Sequence, residues 1–523
     1  MNTEKKALIY SLFAKEPQDR LKERLYDEGT GNSIRLSNYK IDQNFIILDS
    51  YILEIGKEYR PKISICTSNG LGYYFIEEPV LDKEDRKIFS IILGYMISIL
   101  NNRNVEKLEC IDALESKILD VSDQIKVKVD DRKAKLFAEI IVRETFGYGL
   151  IEPLMADDNL TDISCASYQQ PVFVKHREYS EYNWMNTNIT FTEDELDSTL
   201  QKISSRYGKG VNILAPTLEI VTKEGHRMML TYKTEVSLPS STFTIRKFPT
   251  QPWTIAKIII NNTIDEEITA YLWQLLESRQ FVILSGAMGS GKTTLLSSLL
   301  QLTNPSSKIL TIEDTAEVSI GNRPNWQRLI TRKAGYNSTQ DIGLTELSML
   351  SLRTSSDYIA LGEVRGSEIQ ALVQAAGTGL GCITTFHAGS LEELVSRMRG
   401  KPLSVEESFL QTIKCIVFLS NVKLENGKYV KRITSIEEPL FGDSNISSIK
   451  IVKRKSEIEE HVGLDEIYDR SRLLKQIHNK KTNTLNELCK KRDFLKSIIG
   501  LGIKTFEQLH PLLIEFYGGK NGT

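Results

Sequence analysis

The sequence predicts an α/β fold built on a largely parallel sheet, and three observations predict it. Between residues 281 and 388 four short apolar runs recur: FVILSG, KILTIED, DYIALGE and CITTFHA. Helical spacing separates and follows the later ones. Ile369, Leu372, Val373 and Ala376 follow the i, i+3, i+4, i+7 pattern, and Leu391, Leu394, Val395 and Met398 repeat it. A glycine-rich segment, Gly286 to Thr293, stands between the first run and the helix-forming TLLSSLL. Strands alternating with helices in this way imply βαβ units.

The chain has 523 residues, enough for about three domains. Its 66 basic and 68 acidic residues give a net charge of −2. That excludes a basic nucleic-acid-coating protein and an acidic disordered one. Cys66, Cys110, Cys165, Cys382, Cys415 and Cys489 are scattered, with no pair at a metal-ligand spacing. A cysteine zinc ribbon and a disulfide framework are therefore not expected, and a reducing compartment is. The N-terminus shows no apolar core of signal-peptide length. The longest apolar stretch, Ile88 to Leu100, is shorter than the roughly 18 residues a membrane span needs; a buried helix is expected there.

Residues 44–81 read as a small sheet with an Asn69-Gly70 turn, followed by the Ile88–Leu100 helix and a charged connection to about residue 133. A second α/β unit follows. Helical spacing covers Ala134 to Phe146, GYGLIEPL reads as a turn, and Glu193 to Tyr207 as a helix. TDISCA, PVFVKH, RMMLTYKTEVS and STFTIRKF read as strands. After the βαβ region, CIVFLSNVKL and KYVKRITSI flank Glu425-Asn426-Gly427 as a hairpin. The tail from about 441 reads as charged and helical. Leu485, Leu488, Leu495 and Ile499 share one face there, and Thr505 with Gln508 resembles a capping box.

Gly286-Ala287-Met288-Gly289-Ser290-Gly291-Lys292-Thr293 fits G-x-x-x-x-G-K-[ST]. Glycines let backbone N–H groups converge on phosphate oxygens with no Cβ in the way, and the following helix presents its positive end to the same charge. Lys292 would reach the β- and γ-phosphates, and the Thr293 hydroxyl would ligate Mg²⁺. Two strand ends supply acids, Glu313-Asp314 after KILTI and Glu363 after DYIALG. Parallel sheets gather sites at the carboxyl ends of their strands, so both would face the loop. Thr384, Thr385 and His387 close the next strand, where polar groups could sense a γ-phosphate.

These motifs, in order, resemble the type II/IV secretion ATPases, the GspE/PilT superfamily. The likeness is greatest to the archaeal branch, which includes the archaellum motor FlaI and the assembly ATPases of archaeal type IV pili. GAMGSGKTT resembles the Walker A motif, TIEDTAEV the Asp box, DYIALGEVRGSE the Walker B region and AAGTGLGCITTFHA the His box. FGYGLIEPLMADDNLTDISC, PVFVKHREYS and STFTIRKF resemble the second N-terminal domain. The resemblance implies a RecA-like P-loop core preceded by α/β N-terminal domains and followed by a helical C-terminal extension. In this chain that means an accessory domain at 1–130, the second N-terminal domain at 131–250, the core at 251–440 and the extension at 441–523.

The resemblance also implies roles. Gly286 to Thr294 would hold ATP: Gly286, Ala287, Met288, Gly289, Ser290, Gly291, Lys292, Thr293 and Thr294. Thr293, and Glu363 through water, would hold Mg²⁺. Glu313 would act as general base or orient the attacking water, and His387 would lie near the γ-phosphate. Arg227 and Arg246 would reach nucleotide phosphates across a subunit boundary, whereas Arg353 and Arg365 stand equally as ion-pair or phosphate-contacting residues. The expected activity is Mg²⁺-dependent ATP hydrolysis by a homo-hexameric ring. The ring would work beneath a polytopic membrane platform protein, in the cytoplasm at the inner face of the membrane, and drive assembly of a pilus-like or archaellum-like filament or type II-like secretion. Two alternatives stay open: a conjugation or DNA-uptake ATPase of the same superfamily, and an ATP-binding switch or scaffold with little turnover. Nucleic acid is not an expected partner, and no zinc is expected. The chain departs from the pattern at Thr354-Ser355-Ser356-Asp357, where Arg-Pro-Asp is common, and at Gly379-Leu380-Gly381, where Gly-His-Gly is common. The four-cysteine zinc insertion of bacterial relatives is absent from the sequence.

Overall fold

The computed structural model describes residues 44–79, 81–100, 111–248, 252–332, 341–424, 429–441, 446–453, 462–477 and 480–518. The chain divides into two compact units, Met1–Phe248 and Pro249–Thr523. The four-part division expected from the sequence is finer than these two units.

Among the described residues the first unit is built on nine strands. These are β1 Ile46–Ile52, β2 Lys62–Ser68, β3 Leu71–Glu77, β4 Leu160–Cys165, β5 Pro171–His176, β6 Met185–Thr190, β7 Thr217–Val221, β8 Arg227–Thr231 and β9 Thr242–Arg246. They lie in the order β1-β2-β3-β6-β5-β4-β9-β8-β7. The turn between β2 and β3 is the expected Asn69-Gly70, both at positive φ (51° and 77°), the backbone that a two-residue hairpin demands. The small sheet expected at 44–81 is one end of this larger sheet, because β3 pairs in parallel with β6. The sequence reading missed β6 and β7. The β6 segment MNTNIT is polar, and its alternation is correspondingly weak.

The helix expected at Ala134–Phe146 begins earlier, at Asp131, where the Asp130 side chain accepts from the Lys133 N–H. Glu193–Arg206 is helical and starts from a reciprocal Thr192–Glu195 capping box. GYGLIEPL is more than a turn. A 3₁₀ turn at Gly149–Ile151 passes into the helix Glu152–Ala156, with Pro153 in the first helical positions that favour it. The apolar helix spans Lys83–Leu100, and Ile111–Gln124 adds another in the charged connection. Residues 101–110, including Cys110, lie outside the described residues. Among the described residues no helix is long and apolar enough to cross a membrane.

The second unit carries β10 Phe281–Gly286, β11 Ile309–Glu313, β12 Trp326–Ile330, β13 Tyr358–Leu361, β14 Gly381–Phe386, β15 Ile413–Lys423, β16 Tyr429–Phe441 and β17 Ile446–Lys453. Their order is β12-β11-β13-β14-β10-β15-β16-β17. The strands from β12 to β15 run parallel, and β16 and β17 extend the sheet antiparallel. This is the RecA-like P-loop core, mixed α/β as the sequence predicts. The expected hairpin forms between β15 and β16, while its turn residues 425–427 lie outside the described residues. The tail expected to be helical from about 441 opens instead with β17. Its sequence ISSIKIVK alternates apolar and polar, which suits an antiparallel partner on β16.

The helices Leu464–Arg470, Arg472–Ile477, Lys481–Gly500 and Phe506–Gly518 follow β17. Leu488 and Leu495 are fully buried in one apolar core with β10 and the helix Glu266–Glu277, and Leu485 and Ile499 pack against it. Gln508 Oε1 accepts from the Thr505 N–H at 3.2 Å, which supplies one half of the expected capping box. Lys491 is the anchor of this packing. Its side chain is fully buried, 2.5 Å from Glu277 Oε2, and also donates to Gln274. Breaking such a pair takes the ammonium away from a largely buried carboxylate. Lys491→Ala is expected to cost roughly 3–5 kcal/mol. Urea denaturation should show this loss, and Lys491→Met combined with Glu277→Leu should recover most of it.

Candidate nucleotide site

The site begins with strand β10, every residue of which is buried between β14 and β15. The chain leaves it at Gly286 with φ at +152°, and a Cβ there would sit 2.1 Å from the Leu419 carbonyl oxygen. Only glycine fits. The loop ends at Gly291 (φ +93°), which starts the helix Lys292–Gln301 without a side-chain cap. The first N–H groups of that helix are thus left for a ligand, at its positive end. The Ser290 hydroxyl is buried without a hydrogen-bond partner. An anion-shaped cradle with an orphaned buried hydroxyl fits a nucleotide phosphate, and Thr293 sits where its hydroxyl could join a cation.

The sheet topology explains why other side chains gather here. The chain leaving β10 passes to β11 on one side, and the chain leaving β14 passes over β10 to β15 on the other. Adjacent strands with oppositely directed exits form the switch point at which α/β sheets bind ligands. The Lys292 Nζ lies folded against the loop, donating to the Gly286 and Ala287 carbonyls at 2.8 Å each. It also stands 3.5 Å from His387 Nδ1. On the other side of the ring, His387 Nε2 is 3.2 Å from Glu363 Oε1. Glu363 Oε2 in turn accepts from Arg365 at 2.7 Å. Lys292, His387, Glu363 and Arg365 therefore form one continuous row.

The electrostatics of the row are consistent with its hydrogen bonds. Burial and the neighbouring Lys292 hold the His387 pKa below its ordinary value, so the ring is neutral near pH 7. An ammonium on Nδ1 and a carboxylate on Nε2 select the Nε2–H tautomer. Burial works against ionised Glu363, but Arg365, His387 and Lys292 outweigh it and hold its carboxyl below the usual value. Burial lowers the Lys292 pKa, with Glu363 opposing. Thr384 and Thr385, expected at the site, direct their hydroxyl protons to neighbouring carbonyls. Their hydroxyls donate to Leu361 O at 3.0 Å and Gly362 O at 2.6 Å, tying β14 to β13.

Glu313 closes β11, the neighbour of β13. It is 2% exposed, and a side chain at Gly362 would press on its Cγ at 3.0 Å. One oxygen accepts from the backbone N–H groups of Glu317 and Val318 at 2.8 and 2.6 Å. The other lies 3.5 Å from Arg328 on β12. Burial raises its pKa to about 7, against the lowering effect of those N–H groups and of Arg328. Arg328 was missed from the sequence because β12 was.

Residues 219–429 match the family described as type II/IV secretion system protein. A curated relative, the uncharacterised protein MJ0900 of Methanocaldococcus jannaschii, is 30% identical over 388 residues, 70% of this chain and 69% of that one. The chain belongs to this family of secretion-system ATPases. The type IV secretion system protein PtlH of Bordetella pertussis is 32% identical over 129 residues, 24% of this chain and 38% of PtlH. Among solved structures, the ATPase DotB of Yersinia pseudotuberculosis aligns loosely. Its TM-score is 0.41 at 16% identity, over 70% of this chain and 92% of that one.

In this secretion-family ATPase the two arginines singled out from the sequence lie in the first unit. Arg227 on β8 and Arg246 on β9 pair directly across the two strands. Two like charges so placed repel, and each has a carboxylate nearby: Glu219 is 2.6 Å from Arg227, and Asp162 is 3.6 Å from Arg246. Arg365 makes the ion pair with Glu363, and Arg353 sits just past the helix Leu344–Ser351.

The raised pKa of Glu313 makes a stability prediction. A carboxyl at about 7 in the fold and ordinary when unfolded keeps its proton longer in the native state. Native stability therefore falls as pH rises from about 4.5 to 7 and stays low above that. Glu313→Gln removes the titration, so its stability relative to the wild type should rise by up to about 3 kcal/mol from pH 4.5 to 8. Urea unfolding at the two pH values checks this, and an equal difference at both would contradict it.

Proposed function

We propose that this chain hydrolyses ATP with Mg²⁺ as a homo-hexameric ring motor. It would power assembly of a pilus-like or archaellum-like filament, or type II-like secretion, beneath a polytopic membrane platform protein. The ring would work in the cytoplasm, at the inner face of the membrane, through that partner. The observation that carries the reading is the row Lys292–His387–Glu363 at the phosphate loop. The family's membership of secretion systems supports the mechanical output.

When bound, Mg²⁺ would neutralise charge on the phosphates and hold them in place. The Gly286–Thr294 backbone would bind the phosphates, and Lys292 would exchange its two loop carbonyls for phosphate oxygens. The Thr293 hydroxyl would ligate the cation, and ionised Glu363 would orient its water shell. His387, neutral and donating from Nε2, would lie beside the γ-phosphate, with Lys292 at its other nitrogen. Glu313, with a pKa near 7, suits proton acceptance from the attacking water at neutral pH. Arg227 and Arg246 would leave Glu219 and Asp162 to contact the nucleotide, adding a stabilisation that arginines of this kind supply at roughly 10³–10⁵ in rate. Residues 131–250 would carry those arginines, 251–440 the chemistry, 441–523 a helical extension, and 1–130 accessory contacts.

Lys292→Ala should abolish ATP hydrolysis in a folded protein, and normal turnover in that variant would sink the reading. Glu363→Gln should keep nucleotide affinity, measured by fluorescent-nucleotide titration, and lose turnover by about 10²-fold or more. Loss of binding in a folded Glu363→Gln would contradict its assigned role.

A further inference from the structure

His387 stands on a turn, not on a strand. β14 ends at Phe386, and the helix Leu391–Arg399 starts only after the Ser390 cap. Nothing in a three-residue turn fixes an imidazole to the tolerance that the 3.5 and 3.2 Å contacts require. The turn is nonetheless held at every step by side chains. Arg397 Nη1 donates to the His387 carbonyl. Ser285 Oγ, on the strand that feeds the phosphate loop, donates to the Ala388 carbonyl at 2.7 Å. Glu393 Oε2 accepts from the Gly389 N–H at 2.7 Å.

Two of these clamps come from one helix face. Glu393 and Arg397 are four residues apart and 3.8 Å from each other. The Arg397 guanidinium also lies 5.3 Å over the Phe386 ring, on the residue before His387. Both side chains are half exposed, and a surface pair of this kind adds little to stability by itself. Its two contacts instead hold the peptide planes on either side of Ala388, the first of which adjoins His387.

We propose that Arg397 and Glu393 are positioning residues that set the His387 ring between Lys292 and Glu363. The inference rests on the nucleotide reading above. Loss of Arg397 leaves the His387 carbonyl to water and lets the peptide rotate. A displacement of about an ångström in a catalytic group can cost up to about 10²-fold in rate.

The test is steady-state ATP hydrolysis by the full-length protein in four forms: Arg397→Ala, Arg397→Lys, His387→Ala and the double Arg397→Ala/His387→Ala. Arg397→Ala should lower kcat about 10-fold, while KM for ATP stays within about twofold. Arg397→Lys, which can still reach the carbonyl, should restore part of the loss. The decisive result is the double variant, which should be no slower than His387→Ala alone, because Arg397 acts through His387. A double variant slower by the full Arg397→Ala factor would overturn the inference. So would wild-type kcat in Arg397→Ala beside an impaired His387→Ala. Wild-type kcat in His387→Ala would instead overturn the reading of His387 itself. Should Arg397→Ala fail to fold, Glu393→Ala serves the same cycle with the same expectations.

Discussion

A strand that must turn where no side chain fits sets the rest of the second unit. β10 runs buried between β14 and β15, and its last residue meets the Leu419 carbonyl so closely that only Gly286 can occupy the place. Gly289 and Gly291 in the loop that follows hold positive φ, +77° and +93°, a backbone that favours glycine. Because β14 lies directly beside β10, the first residue beyond β14 is delivered to the loop. That residue is His387. Because β13 is the next neighbour, Glu363 arrives on the far side of the imidazole. The row Lys292–His387–Glu363 thus follows from strand order, and each contact in it is polar and oriented.

The far end of the phosphate-loop helix is held as firmly as the near end is open. The Arg323 side chain donates to the carbonyls of Leu300, Gln301 and Thr303, the last turn of that helix and its exit. The Tyr517 hydroxyl, from the C-terminal helix, donates to Leu302 O at 2.9 Å and accepts from Trp273 Nε1 at 2.9 Å. These donors satisfy carbonyls that a helix end otherwise leaves unpaired. The C-terminal helices are therefore part of the packing that locates the phosphate loop. Lys491, buried against Glu277, pins them to the helix that precedes β10.

Much of this was legible in the sequence where local chemistry dictates it. Converging N–H groups need glycines at set spacings, so the loop declares itself. Buried parallel strands read as short apolar runs, and β10, β11, β13 and β14 were found in that way. Elements that depend on a partner were not found. β17 sits in a charged tail and gains its place from β16, while β12 and β6 carry weak apolar patterns. Glu313 and Glu363 were picked as strand-end acids, but burial separates them: one is pushed to about 7, and the other is held low by Arg365. Arg397 gave only the signal of an i, i+4 pair with Glu393, which reads as a solvated helix face. Its contact with the His387 carbonyl depends on the direction in which the helix leaves the turn. The threonines before His387 were read as polar groups at the site, yet neighbouring carbonyls on β13 and just beyond it take up their hydroxyls.

A phosphate loop can serve a motor or a switch, and the two differ in whether the site completes turnover. An ionised Glu363, a neutral His387 and a carboxyl at Glu313 with a pKa near 7 are groups suited to completing it at neutral pH. The most direct measurement is phosphate release by the wild-type full-length protein with excess ATP, followed with Mg²⁺ and after its chelation. The account predicts many phosphates released per chain with Mg²⁺ and none once it is chelated. Tight ATP binding with no more than one phosphate released per chain would contradict it.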